Sequence, residues 1–137
     1  MSFNRRKVME VEKEGTVKFD DGSVLNFVYY PNKNTPNFSY DLDIAKEKGE
    51  VKNFIVGWMT RLLKSWDVVD EAPQINAQNE VMNGPDGKPV MVEVPVPITA
   101  DSIGDMSNSV LDALFSAMID GMKADPQNGT PSRGSFV

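Results

Sequence analysis

The chain has 137 residues, of which 40% are hydrophobic and 25% charged, as suits a single soluble globular domain able to bury a core of its own. Cysteine and histidine are both absent, which removes disulfides, thiol nucleophiles, histidine-based triads and most transition-metal sites together. With 14 basic against 20 acidic residues the net charge is −6, the wrong sign for gripping nucleic acid.

The N-terminal stretch carries Arg5, Arg6 and Lys7 but no apolar core behind them, so it does not read as a signal peptide. No apolar run approaches the roughly 20 residues of a membrane span. A cytosolic location is therefore expected. Residues 15–30 read as a β-hairpin. Thr16, Val17 and Phe19 lead into Asp21-Gly22, a dipeptide suited to a two-residue connection, and Val24, Leu25, Phe27, Val28, Tyr29 and Tyr30 leave it. Leu25, Phe27 and Tyr29 share one face; Val24, Val28 and Tyr30 share the other. Met9 and Val11 offer a third strand, and Pro31 ends the pairing.

Thr35-Pro36 reads as a helix start, with the hydroxyl as cap and proline at the first helical position, and this helix should stop near Gly49. The strongest periodic signal follows. Val51, Phe54, Ile55, Trp58, Met59, Leu62, Leu63 and Trp66 recur at steps of three and four, predicting a helix over residues 51–65. From Asp67 to Pro97 the composition shifts toward Asn, Gln, Pro and Gly. Here residues 72–94 read as an extended excursion, with residues 79–82 and 90–94 pairing around Gly84-Pro85-Asp86-Gly87. Thr99 should cap a short turn through Ile103. Ser107 should cap a last helix over residues 108–123, whose stripe is Val110, Leu111, Leu114, Phe115, Met118, Ile119 and Met122. Residues 125–137 lack apolar content and read as a flexible tail. The expected fold is α+β: residues 1–124 form one domain, an N-terminal hairpin or small sheet on a body of two main amphipathic helices. Trp58 is expected to lie buried between those helices.

Chemical motifs are scarce. Gly84-Pro85-Asp86-Gly87-Lys88 lacks the spacing of a phosphate loop and has no Ser/Thr after the lysine. Asp41 with Asp43, and Asp67 with Asp70 and Glu71, lack the ligand pattern of a calcium loop. Asn37-Phe38-Ser39 and Asn128-Gly129-Thr130 match the glycosylation triplet, but without a secretory signal both are chance matches. The informative feature is the methionine and aromatic stripe on each main helix. Such a stripe is ordinarily core, but methionine is flexible and polarizable, and part of a stripe left uncovered suits an adaptable surface for helical clients.

Several segments recur together in a set order. Asn26-Phe27-Val28-Tyr29-Tyr30-Pro31 precedes Thr35-Pro36. A helix then runs into Leu62-Leu63-Lys64-Ser65-Trp66-Asp67-Val68-Val69-Asp70. After these come Gly87-Lys88-Pro89, Val96-Pro97-Ile98-Thr99, and a closing helix ending at Ala124-Asp125-Pro126. Over nearly the whole chain this order resembles the tail assembly chaperones of long-tailed, siphovirus-like bacteriophages, in the branch with an N-terminal β portion. One departure is that residues 72–85 separate the Trp-Asp stretch from Gly-Lys-Pro, whereas the two are nearly adjacent in the family. The excursion is thus a local elaboration without an assigned family role.

The resemblance implies a non-enzymatic protein without cofactor, metal or catalytic residues. It would bind the long, helical, apolar tape measure protein in the host cytoplasm, keep it soluble, help recruit tail-tube subunits, and be absent from the mature virion. It also implies that a longer form can arise by a ribosomal frameshift near the end of the chain. Met59, Leu62, Trp66, Met118 and Met122 are the candidate partner-binding residues, as members of the stripes that the core need not consume. The alternative is a structural virion component, a tail-tube or head–tail joining protein, although such proteins are usually β-rich and assemble through paired edges. A small enzyme would rest on the carboxylates alone.

Overall fold

In the computed structural model, which describes residues 2–124, the N-terminal hairpin forms from β1 (Lys13–Lys18) and β2 (Val24–Tyr29). The strands are antiparallel, with Val17 opposite Leu25 and Gly15 opposite Phe27. The connection is longer than the two residues expected from Asp21-Gly22. Phe19 N–H donates to Ser23 C=O at 2.9 Å and Gly22 N–H to Phe19 C=O at 3.0 Å, leaving Asp20, Asp21 and Gly22 in the loop. Gly22 has φ 90°, a left-handed value that favours glycine. Alternation sorts β2 cleanly: Leu25, Phe27 and Tyr29 are buried, Val28 is half-buried and Val24 is exposed.

The third strand is not built from Met9 and Val11. Met9 ends a short helix, α1 (Arg5–Met9), capped by Asn4, whose Oδ1 accepts from Lys7 N–H at 3.0 Å. The strand that pairs with β2 is β3 (Leu63–Trp66), so the sheet order is β1-β2-β3. Its residues were expected to continue the preceding helix, because Leu62, Leu63 and Trp66 fit helical spacing as well as strand spacing. Instead α3 (Val51–Leu62) stops and passes into the strand without a linker. The free edge of β2 decides this: Tyr30 N–H donates to Leu62 C=O at 2.9 Å, which satisfies one helix-end carbonyl and starts the pairing. A register shift opposite Val28 and Tyr29 leaves an extra residue on β3 at Lys64, whose ammonium reaches Glu12 at 2.5 Å.

After Tyr30, Pro31–Lys33 form one 3-10 turn, and α2 (Phe38–Lys48) begins two residues later than Thr35-Pro36 suggested. Its N-cap is Asn37, without a side-chain cap, and Gly49 ends it as expected. Near the C-terminal end, α4 (Ala100–Gly104) starts at Thr99 with a full capping box: Thr99 Oγ1 accepts from Ser102 N–H, and Ser102 Oγ accepts from Thr99 N–H. Ser107 Oγ accepts from Val110 N–H at the start of α5 (Asn108–Ala124). The expected tail, residues 125–137, lies outside the described residues.

These elements pack around one core. Tyr29, Met59, Leu62, Ile103, Leu114 and Met118 are its most deeply buried large side chains, and none of its members is polar or charged. At Gly121, a Cβ would run into the phenol oxygen of Tyr29, so the missing side chain lets α5 lie close over the sheet. There Tyr29 Oη donates to Met118 C=O at 3.5 Å and Lys13 Nζ to Gly121 C=O at 2.6 Å, a cation against the carbonyl end of a helix. The fold class is α+β.

Asp67–Pro97 form a compact unit of their own, wider at both ends than the 72–94 excursion expected from composition. Its stem pairs β4 (Val69–Pro73) with β5 (Met91–Pro95) in antiparallel register. Beyond the stem the chain divides into two small loops, marked by the bridges Ile75–Val81 and Asn83–Pro89. At the junction three backbone bonds close a ring: Gln74 N–H to Val90 C=O at 2.7 Å, Val90 N–H to Met82 C=O at 2.9 Å, and Met82 N–H to Gln74 C=O at 2.8 Å. Residues 79–82 thus meet residue 90 only at its start, while residues 91–95 take β4 as partner, a strand the sequence reading did not assign.

Candidate functional site

The five candidate partner-binding residues separate into two groups. Met59, Leu62 and Met118 are fully buried at 0% exposure, so they belong to the core and present nothing to a client. They sit at the centre of their stripes, where the sheet and both helices converge; only the stripe margins reach solvent. Trp66, opposite Phe27 in the sheet, and Met122, on the last turns of α5, are half-buried. Met122 Sδ lies 3.8 Å from Asn34 Nδ2, a weak donor–acceptor contact.

The margins carry a site that the stripe centre concealed. Four aromatic rings converge from three helices: Phe38 of α2, Phe54 and Trp58 of α3, and Phe115 of α5. Ring centroids lie 5.2 Å apart for Phe38–Trp58, 5.3 Å for Trp58–Phe115, 5.7 Å for Phe38–Phe54 and 6.1 Å for Phe38–Phe115. The Trp58–Phe115 pair is edge-on and the others are tilted, geometries that suit the ring quadrupoles. Trp58 is the floor of the cluster, 2% exposed, with its indole N–H donating to Asn34 Oδ1 at 2.9 Å. Asn34 therefore links the indole to Met122 and fixes the Trp58 rotamer. Phe38, Phe54 and Phe115 remain half-buried. Phe54 also lines an open groove of about 460 Å³ bordered by Asp41, Ile44, Lys48, Glu50 and Asn53, along α2 and α3.

Chemically, such a surface offers shape complementarity and dispersion contact inside a polar rim. Phe54 and Phe115 belong to the periodic stripes, but nothing in the spacing separates a stripe margin from its centre. Phe38 lies on a helix with irregular spacing, and its place above Trp58 depends on how α2 crosses α3.

Two surface groups are electrostatically perturbed. Asp21 is held below the usual carboxylate range by the Ser23 hydroxyl at 2.6 Å and backbone N–H at 2.9 Å. Lys64 is held above the usual amine range by its hydrogen bond to Glu12. Both serve local structure, a hairpin turn and a sheet edge. Among the described residues no three carboxylates converge as a metal cluster, and no helix is long and apolar enough to cross a membrane.

The Asp67–Pro97 unit presents the other large apolar surface. Val69, Ile75, Val81, Met82, Val90, Met91, Val92 and Val94 are all exposed there. Comparison of the chain with family models, curated proteins and solved structures returns no match.

Proposed function

We propose that this chain is a non-enzymatic chaperone of phage tail assembly, binding apolar helical segments of a tape measure protein in the host cytoplasm and helping to recruit tail-tube subunits. The observation that carries the reading at the level of a surface is the aromatic cluster. Three half-buried phenylalanines over a fixed tryptophan, drawn from three helices, make a patch on which the apolar face of an incoming helix can lie. The motif order along the sequence supports the same reading, as does a rim of Asp41, Lys48 and Glu50 that keeps the free patch hydrated. Client contact moves accordingly from the buried Met59, Leu62 and Met118 to Phe38, Phe54 and Phe115; of the other candidates, Met122 is tied to the cluster through Asn34, and Trp66 is half-buried on β3.

Co-expression with the neighbouring tape measure protein, followed by pull-down, tests the reading. Wild-type protein should hold the client in the soluble fraction without nucleotide or metal. Phe54→Ser removes the ring with the fewest cluster partners; burial of half such a ring is worth about 1–2 kcal/mol, so client affinity should fall roughly tenfold. Its melting temperature should drop by only a few degrees. A wild-type chain that neither binds nor solubilises the client, but is found in purified virions, would establish the structural-component reading instead.

A further inference from the structure

Exposed large apolar side chains are not scattered over this molecule. Of the 14 among the described residues, eight lie in the Asp67–Pro97 unit and four, Phe3, Val8, Met9 and Val11, lie in the N-terminal arm. The two groups carry opposite charge. Between Asp67 and Pro97 six acids stand against Lys88 alone, leaving −5 of the chain's −6. The arm places Arg5, Arg6 and Lys7 together with no acid before Glu10, and none of the three has an ion-pair partner among the described residues.

The patterns also match in order. Residues opposite each other in an antiparallel pair share a face. One face of the β4–β5 stem therefore reads Val69 with Pro95, then Glu71 with Glu93, then Pro73 with Met91: apolar, doubly acidic, apolar. The arm reads Phe3, then Arg5, Arg6 and Lys7, then Val8, Met9 and Val11: apolar, triply basic, apolar. Glu71 directly across from Glu93 is a like-charge pair that weakens the free stem and is relieved by a cation between them. Two copies of the acidic unit repel one another, which disfavours a symmetric stem-to-stem contact.

We infer that residues 3–11 of one copy dock on the Glu71/Glu93 face of the β4–β5 stem of a second copy. Made reciprocally between two copies the contact closes a dimer, and made head to tail it propagates into rings or open assemblies. Because its specificity is ionic and its surfaces lie in solvent, added salt weakens it.

Sedimentation velocity on the full chain tests this, with two charge reversals at exposed positions and circular dichroism to verify the fold of each. Wild type should self-associate as concentration rises, with the apparent Kd at least tenfold weaker in about 0.5 M than in 0.05 M NaCl. The arm variant Arg5→Glu/Arg6→Glu/Lys7→Glu should be monomeric, and so should the stem variant Glu71→Lys/Glu93→Lys. Mixing the two variants restores both ionic contacts and should restore association; so should placing all five changes in one chain. A wild type that stays monomeric at several hundred micromolar would overturn the inference, including the case in which the arm lies on the stem of its own chain. Association that survives either single reversal, or fails to return on mixing, would overturn it equally.

Discussion

The two units of this chain solve the same problem in opposite ways. The unit holding the β1-β2-β3 sheet and the helices contains every buried apolar residue among the described residues, from Val17 to Met118. The Asp67–Pro97 unit contains none, although it is valine-rich and closely bonded through its backbone. The difference lies in geometry rather than composition. A stripe repeating at three and four residues brings its side chains to one line that a sheet can cover, whereas a two-stranded ribbon exposes both faces and is marginal alone. Backbone hydrogen bonds fix the shape of the ribbon; hydrophobic burial fixes that of the larger unit.

The sharpest way to break this contrast is to truncate one side chain in each unit. Trp58→Ala removes the floor of the aromatic cluster and the bond to Asn34, and should destabilise the larger unit by about 3–5 kcal/mol in chemical denaturation. Val92→Ala, on an exposed strand, should change the same transition by less than about 0.5 kcal/mol. Equal effects would mean that the ribbon shares in the cooperative core.

A smaller effect sharpens the account of how α5 meets the sheet. Gly121→Ala places a methyl group against the Tyr29 phenol oxygen, where the ring is fully enclosed and has little room to retreat. Overpacking of this kind costs about 1–3 kcal/mol. Gly121→Ala combined with Tyr29→Phe removes the colliding oxygen and should recover part of the loss. No recovery would show that α5 is held away from Tyr29.

Most of the larger unit was legible in the sequence. The hairpin, the Gly49 stop, the Thr99 and Ser107 caps and the burial of Trp58 follow from local turn chemistry and periodicity, and each stands in the structure. What was not legible depends on partners distant in sequence. Leu63–Trp66 satisfy helical spacing, and only the open edge of β2 turns them into a strand. Met9 and Val11 alternate with Glu10 and Glu12 as in a strand, yet β3 takes the free edge of β2, and the Asn4 cap draws Arg5–Met9 into a helix. The candidate site was half legible for the same reason. Its stripes were visible, but Met59, Leu62 and Met118 were chosen from stripe centres, and burial there is set by the elements that cross them. Phe38 joins the cluster through α2 packing across α3, which no local pattern encodes.

The smallest expected effects are ionic. Asp21 has a folded-state pKa below its ordinary value near 3.8, so its contribution to hairpin stability is present above that value and fades as the pH falls through the lower folded one. Lys64 has a folded-state pKa above its ordinary 10.5, so its contribution is present below that value and fades as the pH rises through the higher folded one. Both groups are exposed, and Asp21→Asn or Lys64→Met should leave the neutral-pH melting temperature within about 2 °C of wild type. NMR titration of Asp21 should show a midpoint below the ordinary carboxylate value. A midpoint at or above it would mean that the Ser23 contacts do not form in solution.

The central contrast is between a unit stabilised by its core and a ribbon stabilised by its backbone bonds, and amide hydrogen exchange on the full chain reads it directly. At concentrations low enough to keep the chain monomeric, amides of β2, α3 and α5 should exchange only through global unfolding. Those of Val69–Pro73 and Met91–Pro95 should exchange orders of magnitude faster, through local opening that exposes no core. Protection of the ribbon amides equal to that of α3 and α5 would contradict the account.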